Sequence, residues 1–182
     1  DLFTVVLNAQ PTTDVVLSIS SADTGEATVT SSLTFTSSNW DTAKTVTVTG
    51  VDDNIIDGTQ TSTITVSIID GISDNAFDAV ADQTVSVTTT DDDVAGFTIA
   101  ETEGSTGVDE SGSTDIFTIV LDTQPSSDVV LSITSSDTGE ATVESLIQFT
   151  SANWDTPQNV TVTGADDGII DGAQTSTITV TI

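Results

Sequence analysis

The 182-residue chain contains no histidine, no cysteine, no methionine and no tyrosine, and Lys44 is its only basic residue. Each absence excludes a chemistry. Without His or Cys the chain cannot build a Ser-His-Asp or Cys-His nucleophile system, a His/Cys zinc site, or haem and iron-sulfur ligation. One Lys stands against 29 acids, for a formal net charge of -28. Such a surface repels phosphate backbones and anionic headgroups, so nucleic-acid partners and unassisted membrane-surface binding are not expected. No apolar run approaches the roughly 20 residues that span a bilayer as a helix, so no direct membrane insertion is expected either. The lack of cysteine removes an oxidation hazard for a protein outside the cell.

What remains is carboxylate chemistry on a β-rich chain. The acids are 23 Asp and 6 Glu, and the short Asp side chain suits tight turns and loops that hold hard cations. Thr makes up roughly a fifth of the residues and the apolar set is mostly Val, Ile and Leu, a β signature rather than a disordered one. Salt-adapted proteins also carry much surface acid. Whether the acids are scattered or clustered therefore decides what they mean.

The sequence repeats itself. DLFTVVLNAQPTTDVVLSISSADTGEATV, from Asp1, returns as DIFTIVLDTQPSSDVVLSITSSDTGEATV from Asp115. FTSSNWDTAKTVTVTGVDDNIIDGTQTSTITV returns as FTSANWDTPQNVTVTGADDGIIDGAQTSTITV. The offset is a constant 114 residues without a gap, and 48 of the 68 comparable positions are identical, the mark of a recent tandem duplication of one folding unit. Residues 94 to 114 have no counterpart before Asp1, and residues 69 to 93 have none after Ile182. The expected domains are therefore residues 1 to 93, a first sandwich lacking its opening strand, and 94 to 182, a second lacking its closing strand. The open edges fit a window cut from a longer array, or a filament subunit completed by a neighbour's strand.

Alternation predicts the strands. Val46 and Val48 alternate with Thr45, Thr47 and Thr49, and Ile64, Val66 and Ile68 with Thr63, Thr65 and Ser67. Similar runs occupy residues 2 to 7, 14 to 20, 83 to 89, 96 to 99, 116 to 121, 128 to 134, 158 to 163 and 176 to 182. About seven short strands per period, with turn clusters between them, predict an all-β chain of tandem immunoglobulin-like antiparallel β-sandwiches in an array of about 114-residue repeats.

The acids gather at strand ends. VDDNIIDG holds Asp52, Asp53 and Asp57, its copy ADDGIIDG holds Asp166, Asp167 and Asp171, and TTTDDDVAG holds Asp91, Asp92 and Asp93. Asp23 opens the turn DTGEA and Asp137 opens its copy. Adjacent carboxylates repel unless something neutralises them. Calcium does so by taking six to eight oxygens in tolerant geometry. Plain solvated acid is the alternative, and it leaves unexplained why the apolar pair Ile55-Ile56 sits inside the acidic loop in both copies. The paired acids as a glycosidase pair are disfavoured because they stand in runs, so no enzyme is expected. Trp40 and Trp154 occupy equivalent positions and read as anchors of a sandwich rather than sugar-stacking platforms.

At these residues the sequence resembles a Calx-beta domain, a sandwich module of exchanger regulatory loops, integrin beta-4 and many bacterial surface proteins. The matching pieces are VDDNIID at 51 to 57, TTDDDVAG at 89 to 96 and ESGSTDIFTIVL from Glu110. The resemblance implies calcium as the cofactor. It also implies a ligand set of Asp23, Asp52, Asp53, the carbonyl of Ile55, Asp57, Asp91, Asp92 and Asp93 in the first unit. In the second, the implied set is Glu110, Asp137, Asp166, Asp167, the carbonyl of Ile169, and Asp171. Asn54 or Gly168, and Gln60 or Gln174, stand where the family often has carboxylates, which implies fewer or weaker sites. Asp91 to Asp93 is both a ligand set and the linker between units, so calcium there would stiffen the joint.

The expected function is a non-catalytic structural repeat of a secreted or cell-surface protein, an adhesin stalk or extracellular fibre, whose partners are neighbouring repeats. Two rivals stand beside it: an adhesion module that reads cell-surface or polysaccharide ligands, and an accessory domain of a secreted enzyme.

Overall fold

The computed structural model describes residues 1 to 170 and 172 to 182. It is all-β, and its strands join in antiparallel ladders. Two compact units divide the chain: unit 1 holds Asp1–Asp53 and Asp57–Asp91, and unit 2 holds Asn54–Ile56 and Asp92–Ile182. Where the sequence reading sets a boundary between 93 and 94, the units part between Asp91 and Asp92. Residues 54 to 56 go with unit 2, where the Gln124 amide donates to the Asn54 carbonyl at 2.8 Å.

Unit 1 has strands β1 (Leu2–Val5), β2 (Val15–Ser21), β3 (Ala27–Val29), β4 (Ser32–Phe35), β5 (Lys44–Gly50), β6 (Gln60–Ile68) and β7 (Gln83–Thr89). They form two sheets in the orders β1-β5-β3 and β4-β2-β6-β7. Unit 2 has β8 (Phe97–Glu101), β9 (Thr114–Leu121), β10 (Val129–Ser135), β11 (Ala141–Val143), β12 (Leu146–Phe149), β13 (Gln158–Gly164) and β14 (Ile178–Thr181). Its sheets run β11-β13-β9-β8 and β12-β10-β14. In each unit the two sheets share one hydrophobic core, an arrangement consistent with a β-sandwich.

The cores follow from the alternation. Val15, Leu17 and Ile19 of β2, Val46 of β5, and Ile64 and Val66 of β6 point inward, while the intervening Ser and Thr face outward. Full burial of each such aliphatic side chain contributes about 1.5–3 kcal/mol. The largest buried side chains are Phe35 and Phe149, each 0% exposed. They come from β4 and β12, strands of four residues that the sequence reading did not separate. Trp154 packs partly buried against the unit 2 core, and its carbonyl accepts from Leu121 at 3.1 Å, as that of Trp40 accepts from Leu7.

One buried acid serves the fold. Asp74, only 6% exposed, caps a single 3-10 turn at Asn75–Phe77. Its carboxylate accepts from the Thr12 amide at 2.6 Å, the Thr12 hydroxyl at 2.7 Å, the Thr13 amide at 3.0 Å and the Ala76 amide at 3.0 Å. These donors, with the Ala76 amide foremost, hold the carboxyl far below its ordinary range.

Candidate metal centre

The DTGEA turns form because an Asp oxygen can close a local ring with a backbone amide two residues on. Asp23 Oδ1 accepts from the Gly25 amide at 2.9 Å, and Asp137 Oδ1 from the Gly139 amide at 3.0 Å. The turn is then tied to the acidic loop. The carbonyl of Glu26 accepts from the Val51 amide at 2.9 Å and from the Thr89 hydroxyl at 3.1 Å. One residue thus joins the turn after β2 to the exits of β5 and β7. The matching carbonyl of Glu140 in unit 2 accepts from Ala165 at 2.9 Å.

The electrostatics report the same gathering. The Glu26 carboxyl is pushed up from its ordinary range, first by partial desolvation and then by the charges of Asp57, Asp53, Asp23 and Asp91. Five acids from three separate stretches of chain therefore share one end of unit 1. Four of them belong to the expected ligand set. Glu26 does not, although it stands only three residues beyond Asp23; its position became meaningful once β3 turned it back beside the 51 to 57 loop. Asp91 also caps that loop, with Oδ2 accepting from the Gly58 amide at 2.7 Å, and the Asp57 carbonyl accepts from the Gln60 side chain at 2.9 Å.

The other expected residues are placed as follows. Asp52 lies exposed just after β5. Ile55 and Ile56 are 43% and 48% exposed, and Ile55 bridges to Gln124 within unit 2. Asp92 is exposed and Asp93 half-buried, both in unit 2. Asp166 Oδ1 accepts from the Gly168 amide at 3.2 Å and Asp167 Oδ1 from the Ile169 amide at 2.7 Å. Ile169 is exposed. Glu110 lines a cavity in unit 2 together with Glu101, Asp109 and Glu140. Asp171 lies outside the described residues.

Two acids in unit 2 that the sequence reading did not single out organise its loop. Asp109 accepts from the hydroxyl and amide of Ser111, and its own amide donates to Ser113 Oγ at 2.7 Å. Asp115 accepts from the amides of Gly107 and Ile116, each at 2.7 Å, and from Thr102 Oγ1 at 3.0 Å. Both carboxyls are held below their ordinary range, Asp109 chiefly by the Ser111 hydroxyl and Asp115 chiefly by the Gly107 amide.

The donor chemistry around Glu26 fits a hard divalent cation: it is all carboxylate and carbonyl oxygen, with excess negative charge. Among the described residues, no three carboxylates converge closely enough to form a ready cage. Like charges at such spacing repel, and a cation would have to draw them inward.

Glu26 and Asp74 should shape the pH profile of unit 1 in opposite senses. A carboxyl raised in the folded state favours folding while protonated, so its contribution is present at low pH and lost as pH rises through its raised pKa. A lowered carboxyl contributes above the unfolded carboxylate range and loses that contribution as pH falls below it. Thermal midpoints in calcium-free buffer should therefore rise as pH drops from neutral toward the ordinary carboxylate range, then fall steeply below about 4. Glu26→Gln should flatten the upper limb, and Asp74→Asn should flatten the lower one while lowering the whole curve. An upper limb unchanged by Glu26→Gln would count against the electrostatic cluster.

No protein-family model matches this chain, and no curated protein matches it at a significant level.

Proposed function

We propose that the chain is a non-catalytic structural repeat module, Calx-beta-like, of a secreted or cell-surface protein, and that calcium taken up at its acidic ends stiffens it. The observation that carries this reading is geometric: the Glu26 carbonyl ties the turn opened by Asp23 to Val51 and to Thr89, and Asp91 caps Gly58, so Asp23, Asp53, Asp57 and Asp91 come from separate stretches to one end of unit 1. Glu26 and those four aspartates would hold the cation, with backbone carbonyls of unit 1 completing an all-oxygen set. Bound calcium supplies positive charge that offsets their repulsion. The chain's own residues supply the pre-formed turn, the Glu26 carbonyl tie and the Asp91 cap on Gly58. Because Asp91 continues directly into Asp92 and Asp93, fixing Asp91 would also stiffen the linker that leads out of unit 1.

The sugar-reading alternative loses support at Trp154, which packs against the core of unit 2. The extracellular setting fits the absence of cysteine and the millimolar calcium outside cells.

A calcium titration followed by thermal melting tests the proposal. At calcium a hundredfold above its Kd, ligand binding adds about 2.7 kcal/mol, a rise in the unit 1 midpoint of about 10–20 °C. Asp53→Asn combined with Asp57→Asn should abolish most of that rise. A midpoint indifferent to calcium and to chelator would return the acids to solvated surface charge. Small-angle scattering with and without chelator reads the stiffening, and an unchanged maximum dimension would count against it.

A further inference from the structure

The inner face of unit 1 changes character toward its acidic end. Along β6 the inward positions run Ile68, Val66, Ile64 and then Ser62. Along β2 they run Val15, Leu17, Ile19 and then Ser21, and along β7 they run Val85, Val87 and then Thr89. Aliphatic rows thus give way to three hydroxyls where the core meets the Asp23 turn. Two of the three hold that turn: Ser21 Oγ donates to the Asp23 carbonyl at 2.8 Å, and Thr89 Oγ1 donates to the Glu26 carbonyl at 3.1 Å.

Ser62 is the third and the most deeply buried. It is 2% exposed, and its Oγ has no hydrogen-bond partner among the described residues. An orphaned hydroxyl in a core carries its full desolvation cost with nothing to offset it. An alanine would fill the same position without that cost, so the hydroxyl points to a partner that is not part of the chain.

The register shows where such a partner would lie. Ser21 faces Ile64 across the ladder, and the Ala22 amide donates to the Thr63 carbonyl at 2.9 Å. The same register carried two residues past Ser21 sets Asp23 opposite Ser62. On its other side Ser62 faces Val87, one inward place before Thr89. The equivalent hydroxyl of unit 2, Ser176 Oγ, donates to the Asp137 carbonyl at 3.5 Å, so this position is directed at the DTGEA turn. The buried orphan therefore lies on the core side of the same acids, which are themselves exposed or half-buried.

A neutral hydroxyl suits that place. Calcium keeps waters among its six to eight oxygens, and a water polarised by a cation is a strong donor that needs an acceptor. A carboxylate buried this deeply would be penalised, whereas a hydroxyl accepts without bringing a charge into the core. Partners of this kind orient the groups that touch the metal, and losing one commonly weakens metal affinity by about 10–100-fold.

We propose that Ser62 is a positioning residue of the calcium site of unit 1, its Oγ accepting from a water held by the cation. The five acids supply charge, and Ser62 ties the site to the sheet from the core side. The inference rests on the calcium reading of this end and deepens it, by adding a residue that carries no charge and belongs to no acidic run.

The test uses the full chain with Ser62→Ala, and with Thr63→Ala as control because Thr63 is the exposed neighbour on the outer face. Calcium is titrated while the Gly25 and Gly58 amides, which donate to Asp23 and Asp91, are followed by NMR. Ser62→Ala should raise the calcium Kd by about tenfold or more. In chelator its unit 1 thermal midpoint should stay level or rise, because no hydrogen bond is lost. Thr63→Ala should leave the Kd unchanged. A wild-type response with a Ser62→Ala Kd within twofold of it overturns this inference alone and leaves the calcium reading standing. A fall of more than about 5 °C for Ser62→Ala in chelator overturns it too, since the hydroxyl would then serve the calcium-free fold through an internal water. Wild-type amides that ignore calcium remove the calcium reading and this inference together.

Discussion

Phe35→Ala should lower the stability of unit 1 by about 3–5 kcal/mol, the cost of removing a fully buried ring and leaving a cavity behind it. Phe35 is 0% exposed and packs among Val15, Leu17, Ile19, Val46, Ile64 and Val66. The chain's one lysine also lies over it, with Lys44 Nζ 5.2 Å from the ring centroid, so the substitution forfeits a cation–π contact of about 0.5–1 kcal/mol as well. In unit 2 the counterpart of Lys44 is Gln158, and Phe149→Ala should cost slightly less for that reason. Denaturant unfolding followed by amide exchange at Val15 and Ile64 reads the loss in unit 1, and Leu131 and Ile133 read it in unit 2. A loss below about 1 kcal/mol for Phe35→Ala would mean that the ring is not the centre of that core.

Gly164→Ala should destabilise unit 2 by up to about 3 kcal/mol, while Gly50→Ala, at the equivalent position, should change stability by less than about 0.5 kcal/mol. A Cβ on Gly164 would meet the backbone of Asp109, coming within 2.7 Å of its carbonyl carbon. That backbone cannot simply swing aside. The Gly164 amide donates to Ser113 at 3.0 Å, and Asp109 is bound to Ser111 and Ser113. A Cβ on Gly50 would instead meet only the Thr89 methyl at 3.7 Å, ordinary contact. Neither glycine has a positive φ, so backbone strain does not separate the two and the loop alone does. Thermal midpoints of the two variants decide it, and equal effects would remove the loop from the explanation.

These two predictions mark where the sequence could be read and where it could not. Strands β2, β5 and β6 were legible because four to six consecutive residues in each, 17 to 20, 45 to 49 and 63 to 68, alternate apolar with Ser or Thr, long enough for a period of two to show. Strands β3 and β4, ATV and SLTF, were not. Three or four residues carry no period, and they become strands because β5 and β2 offer them a ladder. The largest side chain of the unit 1 core consequently sits in an element that the pattern did not reveal. Asp53, Asp57, Asp23 and Asp91 were legible as acids in turns, because runs of like charge at strand ends are visible without any structure. Glu26 was not, since a lone Glu after a turn is ordinary solvated charge until the chain folds it beside the others. Asp109 and Asp115 are not legible for a similar reason: their partners Ser111, Ser113, Gly107 and Thr102 identify them only once the loop exists.

By itself the sequence determined the β class, the 114-residue recurrence, the exclusion of histidine and cysteine chemistry, and the strand-end placement of the acids. All of these are local or compositional, and a period, a count or an alignment of the chain with itself is enough to read them. Tertiary structure alone decided that Glu26 joins four aspartates. It also decided that Gly50 and Gly164 differ, and that Phe35 and Phe149, on strands too short to show a period, fill the two cores. The physical reason is the same in each case. Charge repulsion, steric contact and burial depend on neighbours brought in from distant parts of the chain, and identical residues have no fixed environment until those neighbours are in place.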